Sequence, residues 1–557
     1  MRNFLENVFE QLHKAADRVV LREVRGDQFA EVSGRELLEQ VGRARAFLRE
    51  LGLQPGDRCA LLGANSIGWI AVDLALMSEE AIVVPLYARL SVPELIGMMQ
   101  DCGARFLFVS EAGLGEAIGQ AWPGGPPRIL LADALPRVTA GKGISTGPNA
   151  RKDESLVTII YTSGTSGMPK GVCLNTGNLN FMLGCTTEWM DRLGWRGPEP
   201  MRVFQYLPVT FAASWIVMLS CLTKHTILTL STDLNRVADE IRLSAPNYFF
   251  NVPTLLERVR RGVEETLEKR GAGIPYLYRR ASEAWRRKRE GKAGGGVWLA
   301  LAKLLIFSKI RSRFGGNLRG LVCGSAPLAP ETQEFFAMLG IPIWQVYGLT
   351  ETCGICTMDD PQVASEPGRV GPAIPGIDLM VGENDEIVVR GPNVFPGYWN
   401  QPEETALALK GGVFHSGDQG EVNSKGNWRI SGRIKNLIIL NSGHNIAPEP
   451  LEEKIGHLVP GAQQVVVVGN GRGYLTAMVT GGVEASRVQT AIDRVNCELP
   501  HYRQVRNFVL LREGFTPESG LLTANGKLRR EAINTRFREE IEKMYKQHAA
   551  AASGNSG

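Results

Sequence analysis

Tyr161-Thr162-Ser163-Gly164-Thr165-Ser166-Gly167-Met168-Pro169-Lys170-Gly171 is the stretch on which the reading of the chain turns. Before it stands Leu156-Val157-Thr158-Ile159-Ile160, apolar and β-branched, the pattern of a buried strand. After it come Val172-Cys173-Leu174 and a helical pattern from about 178. A strand therefore opens into a loop of hydroxyls and glycines that ends on a lysine. Such a loop can aim backbone N–H groups and short hydroxyls at one anion, and glycine lets the backbone approach closely. It is not the Walker A order, because Pro169 precedes Lys170 and Gly171 follows it. The same composition also suits an ordinary surface turn, so the loop's own residues leave both readings open.

Downstream pieces settle the reading by their order. Gln345-Val346-Tyr347-Gly348-Leu349-Thr350-Glu351-Thr352 follows an apolar strand and offers a flat ring, a hydroxyl and a carboxylate suited to a hard cation. Gly324-Ser325-Ala326-Pro327 precedes it. Phe414-His415-Ser416-Gly417-Asp418, Ser431-Gly432-Arg433-Ile434-Lys435, Ser442-Gly443-His444 and Thr523-Ala524-Asn525-Gly526-Lys527 come after it. The series from Tyr161 to Arg530 resembles the motif series of the adenylate-forming superfamily, which includes acyl-CoA synthetases, luciferases and peptide-synthetase adenylation domains.

The resemblance assigns roles. Thr162, Ser163, Gly164, Thr165, Ser166, Gly167 and Lys170 would cradle the β- and γ-phosphates of ATP. Gly324, Ser325, Ala326 and Pro327 would line the adenine face, with Tyr347 and Gly348 beside it. Thr350 would contact phosphate, and Glu351 would help to hold Mg²⁺. Asp418 would accept the ribose hydroxyls, with Arg433 as a second contact. Lys435 falls at the hinge, Gly443 and His444 in the loop used for thioester formation, and Lys527 at the catalytic lysine. The implied reaction joins a carboxylate to AMP and then to a thiol, with coenzyme A as acceptor. A carrier protein is the alternative acceptor; no Asp-Ser-Leu-type attachment motif occurs, which favours free coenzyme A. Without the resemblance, Asp418 reads as a surface turn and Arg433, Lys435 and Lys527 as solvated charges.

The segment Tyr206-Leu207-Pro208-Val209-Thr210-Phe211-Ala212-Ala213-Ser214-Trp215 resembles the acyl-gate segment of some fatty acyl-CoA synthetases. It puts Trp215 at a gating position and Phe211 where a histidine is usual, with core packing as the plain reading of both. Residues 258–314 resemble an insertion of long-chain enzymes. They run from a basic stretch with Arg279, Arg280, Arg286, Arg287, Lys288, Arg289 and Lys292 into the apolar 297–307. A basic helix beside an apolar one suits peripheral contact with an anionic bilayer, and equally a buried helix with a solvated neighbour.

The remaining features set bounds. A chain of 557 residues exceeds one core. Helices and strands alternate over 8–150, which implies βαβ units and a mostly parallel sheet; a second α/β unit spans about 201–355, and short strands follow 365. The expected fold is α/β. A large N-terminal domain, 1–433, holds two αβ sheet subdomains and a small β-barrel-like subdomain. A mobile α+β domain, 434–546, carries Lys527, and 547–557 is expected to be a disordered tail. The net charge of +4 makes no case for nucleic acid. No run of about 18 apolar residues occurs, and no signal peptide opens the chain, so a cytoplasmic place, with the bilayer contact above, is expected. The nine cysteines, an odd number, then read as reduced thiols. Cys353 and Cys356 have Cys-x-x-Cys spacing without a second pair, which points to packing rather than zinc.

Overall fold

The computed structural model describes residues 3–135, 147–162, 169–194, 198–292, 294–523 and 526–554. Of the phosphate-loop positions, Ser163, Gly164, Thr165, Ser166 and Gly167 lie outside the described residues, as do Ala524 and Asn525.

Two large sheets carry the N-terminal part. In the seven-stranded sheet, Leu156–Thr162, Ile82–Leu86, Arg58–Leu62, Phe106–Val109 and Arg128–Leu130 run parallel. Lys170–Asn175 returns antiparallel on Leu156–Thr162, and Gly397–Tyr398 closes that edge. The two strands read on either side of the loop thus pair with each other, Thr162 opposite Lys170. In the eight-stranded sheet, Ile343–Tyr347, Leu321–Cys323, Tyr248–Asn251, Met201–Gln205, Thr226–Leu230 and Val19–Arg25 are parallel. Thr357–Met358 and Gln28–Ser33 are its antiparallel edges.

Helix Ile67–Ser78 joins the sheets. It is apolar on nearly every side, and every residue but Gly68 is buried, as expected when a helix packs on both faces. It touches Val19–Arg25 of one sheet and Ile82–Leu86 of the other. The β-rich part is a four-stranded antiparallel sheet of Asp378–Val381, Glu386–Arg390, Phe414–Val422 and Trp428–Arg433.

Beyond Arg433 the chain builds its own apolar cores. Ile455, Val467, Leu475 and Ile492 fill one cluster, and Val466, Met478, Phe515 and Ile533 another. They flank the three-stranded sheet Val465–Val468, Leu475–Thr480 and Val505–Leu511. The last helix, Arg538–Gly554, runs through most of the segment expected to be a disordered tail; its alanines, Ala549 to Ala552, are the strongest helix formers. Cys353 and Cys356 are fully buried, and burial pushes both thiols up, the behaviour of packing residues.

Candidate active site

Tyr347 ends the strand Ile343–Tyr347, and the chain then turns sharply through Thr350–Thr352. Gly348 is required by that turn: a Cβ there would stand 2.4 Å from the Gly354 carbonyl oxygen and 2.6 Å from Ile355 Cα. The turn brings Tyr347, Thr350 and Glu351 to one wall of a cleft of about 2040 Å³. Gly324 is buried against the same strand, and a Cβ on it would meet Val346 Cγ2 at 2.6 Å. Ser325, Ala326 and Pro327 follow as cleft-lining residues, with Ser325 in the left-handed region at φ +72°.

The opposite wall comes from the four-stranded sheet, where Asp418 and Arg433 are cross-strand partners. Arg433 Nε donates to Asp418 Oδ1 at 2.6 Å, and the Tyr347 hydroxyl donates to Asp418 Oδ2 at 2.9 Å. One nearly buried carboxylate therefore ties the two walls together. Burial works against the Arg433 charge, but Asp418 outweighs it and the guanidinium pKa rises. Burial and then Asp418 push the Tyr347 phenol well above its ordinary value.

Lys527 comes from the small C-terminal part. Its N–H donates to Thr523 Oγ1 at 3.0 Å and its carbonyl accepts from the Thr523 N–H at 2.8 Å, with Gly526 at φ +76° completing the turn. The side chain keeps contact with solvent because the cleft is open, yet the cleft walls stand around it. Their desolvation, and then Arg433, lower its ammonium pKa, while Asp418 and Glu351 oppose the shift. Lys527, Arg433, Asp418, Tyr347 and Glu351 thus share one electrostatic site, assembled from positions far apart in the chain.

Two residues at this site escaped the sequence reading. Tyr398 donates its hydroxyl to Glu351 Oε1 at 2.9 Å, and the Lys170 ammonium lies 5.0 Å from the centroid of its ring. Glu404 forms the ion pair with Lys170, which holds the Glu404 carboxyl below its usual range. Their signal was the turn-rich Gly397-Tyr398-Trp399-Asn400-Gln401-Pro402-Glu403-Glu404, but only the pairing of Tyr398 with Val172 places it beside Lys170.

Other expected positions scatter. Thr162 lines the cleft, and its hydroxyl reaches the Lys170 carbonyl at 3.5 Å. Lys435 sits in the short turn Ile434–Asn436 on the cleft rim. Gly443 and His444 do not reach the cleft: the His444 ring stacks on Tyr502 at 4.0 Å on an exposed loop. Phe211 lines the cleft beside Tyr87, their centroids 5.6 Å apart, although core packing was the plainer reading for it. Trp215, expected at a gating position, does not line the cleft. It is buried, and its indole N–H donates to the equally buried Asp73 at 2.8 Å. Helix Ala212–Leu222 is apolar on almost every side, so its interior face claims the largest ring.

Among the described residues no group of three or more His, Cys, Asp or Glu could hold a metal by itself. The donor set fits Mg²⁺ in the other common manner, in which one carboxylate, here Glu351, is completed by phosphate oxygens and water.

Comparison with known proteins agrees with this geometry. A family profile described as AMP-binding enzyme matches residues 8–399, and one described as AMP-binding enzyme C-terminal domain matches 435–549. The long-chain-fatty-acid–CoA ligase FadD15 of Mycobacterium tuberculosis is 27% identical, over 98% of this chain and 97% of that protein. Long chain acyl-CoA synthetase 3 of Arabidopsis thaliana is 25% identical, over 90% of this chain and 85% of its own length. The crystal structure of ATP-bound MatB from Rhodopseudomonas palustris superposes with a TM-score of 0.73 at 22% identity, covering 96% of this chain and 99% of that one; at that identity the likeness speaks for the fold.

Proposed function

Because this chain belongs to the AMP-binding enzyme family of ATP-dependent, adenylate-forming enzymes, we propose that it activates a medium- or long-chain fatty acid as acyl-AMP and transfers the acyl group to coenzyme A. The observation that carries this reading is the convergence of Lys527 with Asp418, Arg433 and Glu351 in one cleft. The chain length of the acid is inferred from the relatives' printed names and from the apolar walls of the cleft, which include Leu86, Met98, Ile160, Leu207, Phe211 and Phe250. Both relatives are named for CoA, which favours coenzyme A over a carrier protein.

In the first half-reaction a carboxylate oxygen of the acid attacks the α-phosphorus of ATP. The bond from that phosphorus to the bridging oxygen breaks, and pyrophosphate leaves. Two anions must meet, so fixed cations aimed at the developing charge lower the barrier. Lys527 stands on the α-phosphate side, and bound phosphate restores the basicity that its surroundings remove. Lys170 faces the departing phosphates, and Tyr347 and Asp418 hold the nucleoside. Mg²⁺, when bound at Glu351, neutralises phosphate charge. In the second half-reaction the thiol attacks the acyl carbonyl carbon and AMP leaves. We assign the 434–546 domain a rotation about Lys435 between the two. His444, which lies outside the cleft in this arrangement, would then approach it as Lys527 withdraws.

ATP–pyrophosphate exchange over a panel of carboxylic acids, followed by acyl transfer to CoA or to a holo-carrier protein, tests the reading. Exchange that peaks with fatty acids and transfer to CoA are expected; exchange with none of them would overturn it.

The insertion bears on where the enzyme works. No helix among the described residues is long and apolar enough to cross a membrane. Val297, Leu301, Leu304 and Leu305 are nevertheless exposed along one face of the 296–312 helical segment, at 71%, 40%, 70% and 45%. Arg279, Arg280 and Lys288 on the preceding helix, and Lys303 and Lys309 within the segment, are exposed as well. An exposed apolar ridge with cations on the same and the preceding helix suits an anionic bilayer surface. Co-sedimentation with phosphatidylserine vesicles, weakened by salt and by Leu304→Glu, is the expected result; binding to neither anionic nor neutral vesicles would contradict it.

A further inference from the structure

Among the described residues, an ion pair between residues distant in sequence joins the large domain to the Lys527 segment. Arg529 Nη2 donates to Glu94 Oε1 at 2.7 Å, and both side chains are partly buried, at 30% and 25% exposure. Glu94 is the third residue of helix Val92–Cys102 and closes a capping box with Ser91: its Oε2 accepts from the Ser91 hydroxyl at 2.8 Å and the Ser91 N–H at 3.3 Å. One carboxylate oxygen thus fixes the rotamer on its own helix, and the other is presented to the small domain already oriented.

The partner strand is equally fixed. Leu522 bridges Leu528 antiparallel, so the backbone is extended there. Side chains two apart in an extended segment lie on one side. Leu528 turns inward onto the cluster around Phe515 and Ile533, which leaves Lys527 and Arg529 together on the outward face. Arg530 is held inside the small domain by both oxygens of Glu452, at 2.8 and 2.6 Å. The segment is therefore anchored to its own domain by Leu528 and Arg530, and to the large domain by Arg529. When Arg529 is seated on Glu94, Lys527 stands in the field of Asp418 and Glu351.

We propose that Glu94 is a positioning residue for adenylate formation: its grip on Arg529 docks the Lys527 segment against the nucleotide site, and the grip must open for acyl transfer. The inference rests on the two-step reading above and adds a contact whose effect is confined to the first step. An ion pair of this exposure is worth up to about 1 kcal/mol, or about fivefold in rate.

The test uses the full-length protein and separates the half-reactions. Glu94→Gln keeps a residue that can still complete the capping box but removes the charge that holds Arg529. Glu94→Gln and Arg529→Gln should each lower kcat for ATP–pyrophosphate exchange about fivefold, with little change in KM for ATP. Acyl transfer to CoA from supplied acyl-AMP should be unchanged or faster. The double variant should lose no more than either single one, because one interaction is removed in all three. Equal losses in both half-reactions, no loss in either, or losses that multiply in the double variant would overturn the proposal. The wild type separates the two claims: if it exchanges with fatty acids and Glu94→Gln matches it, only the role of Glu94 falls.

Discussion

Tyr398 gives its hydroxyl to Glu351 and its ring face to Lys170, and so couples the carboxylate suited to Mg²⁺ with the lysine to which we assign the departing phosphates. A hydrogen bond to a charged group contributes about 1.5–3 kcal/mol. Tyr398→Phe keeps the ring and loses only the hydroxyl. We expect it to lower kcat of pyrophosphate exchange about tenfold, and Tyr398→Leu, which also removes the ring, to lower it further; a Phe variant as fast as wild type would refute the coupling. The residues of the Tyr347, Asp418 and Arg433 motifs were legible in the sequence because each offers a distinct chemical group in a fixed order. Tyr398 and Glu404 were not, because their roles come from a strand pairing across more than two hundred residues, and no local pattern records it.

At the level of elements, the strands were readable from their β-branched runs and the helices between them from their spacing. The rotation of a helix that is apolar on every side was not, because its hydrophobicity points nowhere in particular. Trp215 shows the consequence: its helix turns the indole to the interior and onto Asp73 of the other such helix. Burial pushes the Asp73 carboxyl up to about 7, against about 3.9 in an unfolded chain. A carboxyl raised in the folded state contributes stability that is fully present below the unfolded pKa and is lost as pH rises through the folded one. Stability should therefore fall between pH 4 and 7 by up to about 4 kcal/mol from this group. Asp73→Asn should flatten that slope in urea unfolding measured across the range; an unchanged slope would show that Asp73 is not its source.

Across the whole molecule, the sequence showed which chemistry was present but not which parts meet. Thr162 lines the cleft and pairs with Lys170, yet Lys170 is paired with Glu404, and Lys527, the lysine we propose as catalytic, arrives on a different unit, where Arg529 pairs with Glu94. Lys527 and His444 belong to that same unit, and only Lys527 faces the cleft. We propose that one lysine, Lys527, serves adenylate formation alone. Lys527→Ala assayed for both half-reactions tests it most directly. ATP–pyrophosphate exchange should be lost while acyl transfer to CoA from supplied acyl-AMP persists near the wild-type rate; an equal loss of both half-reactions would refute the division of labour.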